Sequence, residues 1–347
     1  MGQLTAKLRM PAEWAPHTAT WLAWPHETSD WPGKFAPVPW VYGDIIRHLA
    51  AVERVRLVVP SQDSAQKVRK LLEKCHANVS AVDFYVAPTD RSWVRDTMAI
   101  FVHKENGELA ATNWKFNAWA KYENYHQDDK LSRFAARKRK VEEVVVEYEG
   151  RRVVLEGGSI DVNGRGLLLT TEECLLSEVQ QRNPGLARAD YEEIFAHYLG
   201  IDRVLWLKNG IAGDDTHGHV DDLARFTDEN TIVIASEADP ADANYEVLRE
   251  NWKFLQHEAK GLRIIKLPMP APVVFAGQRL PASYANFYIA NDVLLVPTFN
   301  DPNDRVALNT LADCFPDRTV VGIHSVDLVW GLGTLHCLTQ QEPAPAA

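Results

Sequence analysis

Residues 211–226, "IAGDDTHGHVDDLARF", place His217, His219, Asp221 and Asp222 within six residues. On a strand, whose side chains alternate between faces, His217, His219 and Asp221 would share one side. That trio suits a metal-assisted hydrolase; it equally suits a histidine base paired with a nucleophile from elsewhere. The metallo-hydrolase pattern His-x-His-x-Asp-His is nearly matched, but Asp222 stands where its last histidine belongs, and neither a His-x-x-x-His helix nor a cysteine cluster adds ligands. A nucleophile is available in 330–341, "WGLGTLHCLTQQ", where Cys337 follows Gly331 and Gly333. Glycines there allow backbone to approach a ligand closely. A reactive thiolate needs a base or cation beside it. His336 is adjacent, but on a strand it would point to the opposite face, so His219 is the better partner if the fold brings it near. Cys75, Cys174 and Cys314 read as small core hydrophobes, the last two with no base nearby.

These groups sit within a recurring pattern. Runs of β-branched and aromatic residues are broken by turn residues in 101–114, 159–171, 223–236 and 287–297, which is the hairpin signal. Helix-like amphipathic segments lie between the hairpins, at 64–77, 186–200, 244–261 and 304–318, each leading into a further apolar run. The unit is hairpin, helix, strand, and its turns recur roughly every 60 residues. Four units are visible, and the strand-like 17–25 could pair with the C-terminal 332–341 to complete a fifth. Polar groups fall at equivalent places in three units, roughly eight to ten residues before the turn: Asp96, then Glu156, then His219 and Asp221. Acids leading into buried strands are costly unless paired or functional. A ring of such modules would gather them.

The 347 residues carry a formal net charge of −10 at a pI near 5.7, with 46% hydrophobic and 24% charged residues. This is ordinary globular composition. No basic stripe suits nucleic acid, and no run approaches the ~18 apolar residues of a spanning helix. A small cationic partner fits the charge. The N-terminus shows no apolar leader, and Ala6 stands where a myristoylation signal has Ser or Thr, so a cytoplasmic protein is expected. The four scattered cysteines fit a reducing compartment. One domain over 1–340 and a disordered tail over 341–347 complete the expectation.

The blocks "WLAWP", "WVRDT", "FNAWAKY", "LEGGSIDVNGRG", "LLTTEECLL", "GHVDDLARF", "ASYANFYIAN", "FNDPND" and "HCLTQQ" occur in this order along nearly the whole chain. Together they resemble the agmatine deiminases, within the peptidylarginine-deiminase-like (guanidino-group modifying) family. The resemblance implies an α/β fold, a five-bladed pseudo-fivefold α/β propeller of ββαβ modules (pentein). It implies a hydrolase with no metal and no cofactor, acting on a small cationic guanidine. By the same resemblance Cys337 is the nucleophile, His219 the catalytic histidine and Glu156 its supporting acid. Asp96 and Asp221 are guanidinium-binding carboxylates, and Trp93 and Trp119 are placed along the substrate channel. Agmatine is the first expected substrate, with peptidyl-arginine or another alkylguanidine as the alternative. No nucleic acid or membrane partner is expected, and a homodimer is the expectation for assembly. Two other classes stay open at this point: a metal-dependent hydrolase using His217, His219 and Asp221, and a non-catalytic module that only binds a cationic partner.

Overall fold

The computed structural model describes residues 7–346; the leader and myristoylation readings fall on residues outside them. Among the described residues the chain forms five sheets of three or four strands, each built on one plan. Sheet II orders Leu8–Arg9, Ile100–Lys104, Leu109–Asn113 and Glu142–Val145. Sheet III orders Asp161–Val162, Leu167–Thr171 and Arg203–Leu207; sheet IV Ala224–Asp228, Thr231–Ser236 and Arg263–Pro268; sheet V Tyr288–Ile289, Val293–Thr298 and Thr319–His324. In each of these units an antiparallel hairpin is followed by a strand parallel to its second arm. The parallel step requires a crossover, and a helix supplies it: Leu131–Arg139, Arg188–Leu199, Tyr245–Glu258 and Pro302–Cys314.

Sheet I joins the chain ends. Gln340–Pro343 pairs antiparallel with His17–Ala23, which runs parallel to Arg54–Val59 across the helix Val38–Val52, and Val82–Val86 follows. This corrects the expected disordered tail over 341–347: Gln341, Glu342 and Pro343 lie in a buried strand. The reason is charge pairing as much as the ladder. Glu342 is buried and accepts from Arg56 Nε (2.8 Å), Arg139 Nε (2.8 Å) and Trp21 Nε1 (2.9 Å). A Pro- and Ala-rich composition hid a buried acid that three donors, two of them buried, require.

Local chemistry explains the element ends. Asn163 Oδ1 accepts from the amides of Arg165 and Leu167, closing the turn in which Gly164 takes φ +70°. Asp301 and Asp304 form a capping box over Pro302 at the start of the last long helix. Strand interiors are buried on both faces, as in Val293–Thr298, because helices cover one side and neighbouring sheets the other. Tyr42, Ile45, Ile46 and Leu49 of the first long helix pack with Leu57 and Val59 of sheet I and Leu295 and Ile323 of sheet V. Burying each such side chain contributes about 1.5–3 kcal/mol. No helix of the described residues is long and apolar enough to cross a membrane.

One buried cation ties the sheets to one another. Arg225 of sheet IV is wholly buried. It donates to Asp161 of sheet III (3.2 Å), to Glu13 ahead of sheet I (2.7 Å) and to the carbonyls of Ala285 (3.3 Å) and Phe287 (2.8 Å) leading into sheet V. Replacing it with Met strands two buried carboxylates. Arg225→Met is expected to cost about 3–5 kcal/mol in urea-induced unfolding; a loss below about 1 kcal/mol would show that these pairs do not hold the sheets together.

Candidate active site

Each sheet is preceded by a short turn that carries one polar side chain inward. Asp96 lies on Val94–Thr97, four residues before sheet II, and Glu156 precedes the turn Gly157–Ser159 of sheet III. Asp221 lies on Val220–Asp222 before sheet IV, and Cys337 on Leu335–Leu338 before Gln340. Before sheet V the corresponding residue is Asn286, whose amide closes on the carbonyl of Ser283. The equivalence seen in three units therefore extends to all five. Asn286 was missed because an amide carries no titratable signal and because it lies only five residues before the turn at Asn291.

These five positions converge. A Cβ added to Gly158 would lie 2.6 Å from His219 Nδ1, 3.0 Å from Asp221 Oδ2 and 3.0 Å from Asp96 Oδ1. Cys337 Sγ is 3.7 Å from Asp221 Oδ2 and receives Asn286 Nδ2 at 3.1 Å. Asn286 Oδ1 in turn accepts from Thr334 Oγ1 (2.7 Å) and the amide of His336 (3.1 Å), so the amide is held from both ends. Asp96 accepts from Gly158 N (3.0 Å) and Trp119 Nε1 (2.8 Å). His219 sits between two acids, with Nε2 3.6 Å from Glu156 Oε2 and Nδ1 3.9 Å from Asp96 Oδ2. Arg182, also wholly buried, pairs with Glu156 Oε1 at 3.1 Å. The cleft above is about 200 Å³ and is walled by Trp93, Trp119, Tyr122, Asp30, Asp215 and Gly333, with Asp96 and Cys337 at its floor. Trp93 and Trp119 are thus both buried packing and channel wall.

Three local expectations change. First, 217–221 is not a strand: His217 (φ +64°) and Gly218 (φ +91°) adopt left-handed backbone, and Asp214 accepts from the amides of Gly218 (2.7 Å) and His219 (3.0 Å). His217 turns away to Ser177 (3.2 Å) and Glu173 (3.7 Å), so the trio His217, His219, Asp221 forms no common ligand set. Second, 335–338 is helical, which lets His336 face the site after all. Its Nδ1 lies 2.7 Å from Asp221 and its Nε2 2.8 Å from Glu13, making it a strut for Asp221 that strand alternation had excluded. Third, Cys174 is not remote from a base: it lies with His219 and Glu156 in one buried cluster.

The charges respond to burial and to each other. Burial lifts Asp96 to about 6, with Asp221 and Glu156 adding to the rise against the pull of His219. Burial also raises Glu156, but Arg182 and His219 outweigh it and bring it to about 2. Burial opposes a charged His219, yet Asp96 and Glu156 hold it well above the ordinary imidazole value. Burial lifts the Cys337 thiol well above its ordinary value, and Asp221, Asp222 and Asp96 add to that. Burial raises Asp221, but His336 outweighs it and brings it below the usual carboxylate value, while burial and Asp221 raise Asp222 well above it. Asp221 Oδ1 and His219 Nδ1 are buried without a hydrogen-bond partner. A floor with an ionised acid, an open carboxylate oxygen and a protonated thiol suits a flat cation that offers several N–H donors.

Comparison with known proteins agrees with that reading of the fold. The chain is 36% identical to the agmatine deiminase of Stutzerimonas stutzeri, over 97% of this chain and 95% of that protein. Among solved structures, the agmatine deiminase of Enterococcus faecalis superposes with a TM-score of 0.89 at 32% identity, covering 98% of this chain and 97% of that one. The putative arginine deiminase of Porphyromonas gingivalis does so with a TM-score of 0.86 at 34% identity, over 97% and 98%. An amidinotransferase from Microseira wollei shares the fold alone, at 12% identity and a TM-score of 0.53. With residues 9–343 matching it, the chain belongs to the Porphyromonas-type peptidyl-arginine deiminase family.

Proposed function

We propose that this chain is an agmatine deiminase, converting agmatine and water to N-carbamoylputrescine and ammonia. The observation that carries the reading is the convergence of Asp96, Asp221, His219 and Cys337 on one buried point, with acceptors left open there. Asp96 and Asp221 grip the planar guanidinium by charge-assisted hydrogen bonds and set its carbon against the sulfur. Asp30 and Asp215, paired with Arg91 and Lys121, also line the cleft and give it an acidic wall for the ammonium at the other end of agmatine. We place the reaction in the cytoplasm on a route to putrescine, and the five sheets as blades of a closed five-bladed propeller of ββαβ modules.

The chemistry follows from the charges. Substrate binding brings a positive charge beside a thiol that nearby acids had kept protonated, so the thiol gives its proton to water in the cleft, to regain one when the neutral product leaves, and the thiolate forms against the guanidinium carbon. Asn286 Nδ2–H steadies that thiolate. Attack forms the C–S bond. His219, protonated between Asp96 and Glu156, gives its proton to the departing nitrogen, and the C–N bond breaks to release ammonia. The carbon is now an S-alkylthiouronium on Cys337. Neutral His219 next takes a proton from water as the hydroxyl adds to the same carbon. The C–S bond breaks, the sulfur leaves as thiolate, and the remaining proton passes to ammonia. The ureido product carries no charge at the former guanidinium, which loosens its hold on the two acids. Glu156, fixed by Arg182, holds Nε2 so that Nδ1 faces the substrate.

Four measurements test this. EDTA-treated enzyme should form ureido product from agmatine, with free arginine and an arginine peptide at least about 100-fold lower in kcat/KM. Cys337→Ser should lose at least about 10³-fold in kcat. Product from the peptide alone would move the substrate and keep the mechanism; EDTA-sensitive turnover, or turnover surviving Cys337→Ser, would remove the thiolate route. The pH dependence has a defined sign. Asp96 must be ionised to hold the cation, so kcat/KM should fall about tenfold per pH unit below about pH 6. An acid limb near the ordinary carboxylate value of about 4 contradicts an Asp96 raised by burial. Finally, Gly158→Ala puts a methyl among His219, Asp96 and Asp221. The expected loss in kcat/KM is at least about 10²-fold with circular dichroism unchanged; near-normal turnover would mean that the guanidinium does not sit there.

A further inference from the structure

Behind His219 lies a buried cluster in which deimination, as drawn above, leaves Cys174 without a role. Glu156, Cys174 and His219 offer one carboxylate oxygen, one sulfur and one ring nitrogen, all within 4.8 Å of one another and all buried. Glu156 Oε2 and His219 Nε2 have no hydrogen-bond partner, although both side chains are at least 99% buried. We propose that Glu156, Cys174 and His219 form an inhibitory binding site for a borderline-soft divalent cation, Zn²⁺ above all. The binding stands on this geometry; its inhibitory consequence rests on the role given to His219 above.

The ligand chemistry and the surroundings both fit. Sulfur, imidazole nitrogen and carboxylate oxygen are the donor set that Zn²⁺ takes in preference to harder ions. Bonds of about 2.0–2.3 Å in a tetrahedron put ligand atoms roughly 3.3–3.7 Å apart. The Glu156–His219 pair already stands at 3.6 Å, so the sulfur has about 1 Å or less to move. The ligands are held from behind. Arg182 occupies Glu156 Oε1 and leaves Oε2 free, while Thr171 Oγ1 accepts from Cys174 N (3.0 Å) and donates to Gly218 O (2.5 Å). That second bond fixes Cys174 relative to the residue before His219. Charge balance removes the usual objection to burying a metal beside Arg182. Zn²⁺ entering expels one proton from the Cys174 thiol and one from the imidazolium of His219, so the buried charge does not change. With Nε2 on the metal, the remaining Nδ1–H can no longer take a proton from water, and the second half of the reaction stops.

The experiment titrates Zn²⁺ into the metal-free, full-length enzyme by calorimetry, with turnover read in parallel. One Zn²⁺ per chain should bind, with activity lost in step and affinity falling steeply, by more than about tenfold per pH unit, as pH is lowered. Cys174→Ser should keep its metal-free turnover and bind Zn²⁺ at least about tenfold more weakly. Cys337→Ser, inactive, should bind Zn²⁺ as the parent does, and with Co²⁺ it should show a near-ultraviolet sulfur-to-cobalt band. That arm decides the matter even if Cys174→Ser does not fold. Binding lost in Cys337→Ser and kept in Cys174→Ser would assign the metal to the nucleophile and overturn the proposal, as would no binding by the folded parent. Stoichiometric Zn²⁺ that leaves turnover intact would keep the site and overturn the role of His219.

Discussion

Burying charge is the constraint that shapes this molecule. The turns that begin the five sheets bring acids, histidines and arginines into a region from which water is excluded, and an unpaired charge there costs several kcal/mol. Arg225 therefore reaches sheets III, IV and V and the segment ahead of sheet I at once. Glu13 returns the favour of that pairing to His336, which then braces Asp221. The pairs that hold the sheets together are the same pairs that set the position of the reacting groups. Stability and site geometry are one network here rather than a scaffold with chemistry added.

The network is left incomplete at the cleft floor and again behind His219. Glu156 is satisfied by Arg182 and Asp221 by His336, but neither pairing uses every oxygen. Burial and Asp221 raise Asp222 well above the usual carboxylate value, and burial with Asp221, Asp222 and Asp96 raises the Cys337 thiol. A guanidinium supplies the missing positive charge and the missing donors together. On the proposed function, the site without substrate is thus protected from stray thiolate chemistry, and the substrate itself switches the nucleophile on. The same incompleteness behind His219 is what a divalent ion would exploit.

Much of this was legible in the residues. The hairpin turns at Asn163-Gly164 and Asp228–Asn230, the helices from 188 and 245, and the unit they form follow from local propensity and periodicity, which act over a few residues. Asp96, Glu156, His219 and Asp221 stood out because charged residues led into apolar strands. What failed were judgements that depended on a backbone angle or a distant partner. His217 was set on a strand that two left-handed residues abolish. His336 was dismissed on strand alternation in a segment that is helical. Glu342 was read as tail because its partners, Arg56 and Arg139, are some two hundred residues and more away in sequence.

The sequence by itself determined the secondary-structure unit, its repetition, the candidate acids and the candidate nucleophile, because residue type and short-range spacing carry that information. Only the tertiary structure decided which groups meet. It chose His219 over His217, added Asn286, His336 and Glu13, and set Cys174 beside His219, because each of those choices rests on contacts between sheets far apart in the chain. Short-range patterns state what a segment prefers; they do not state which buried charge it must face.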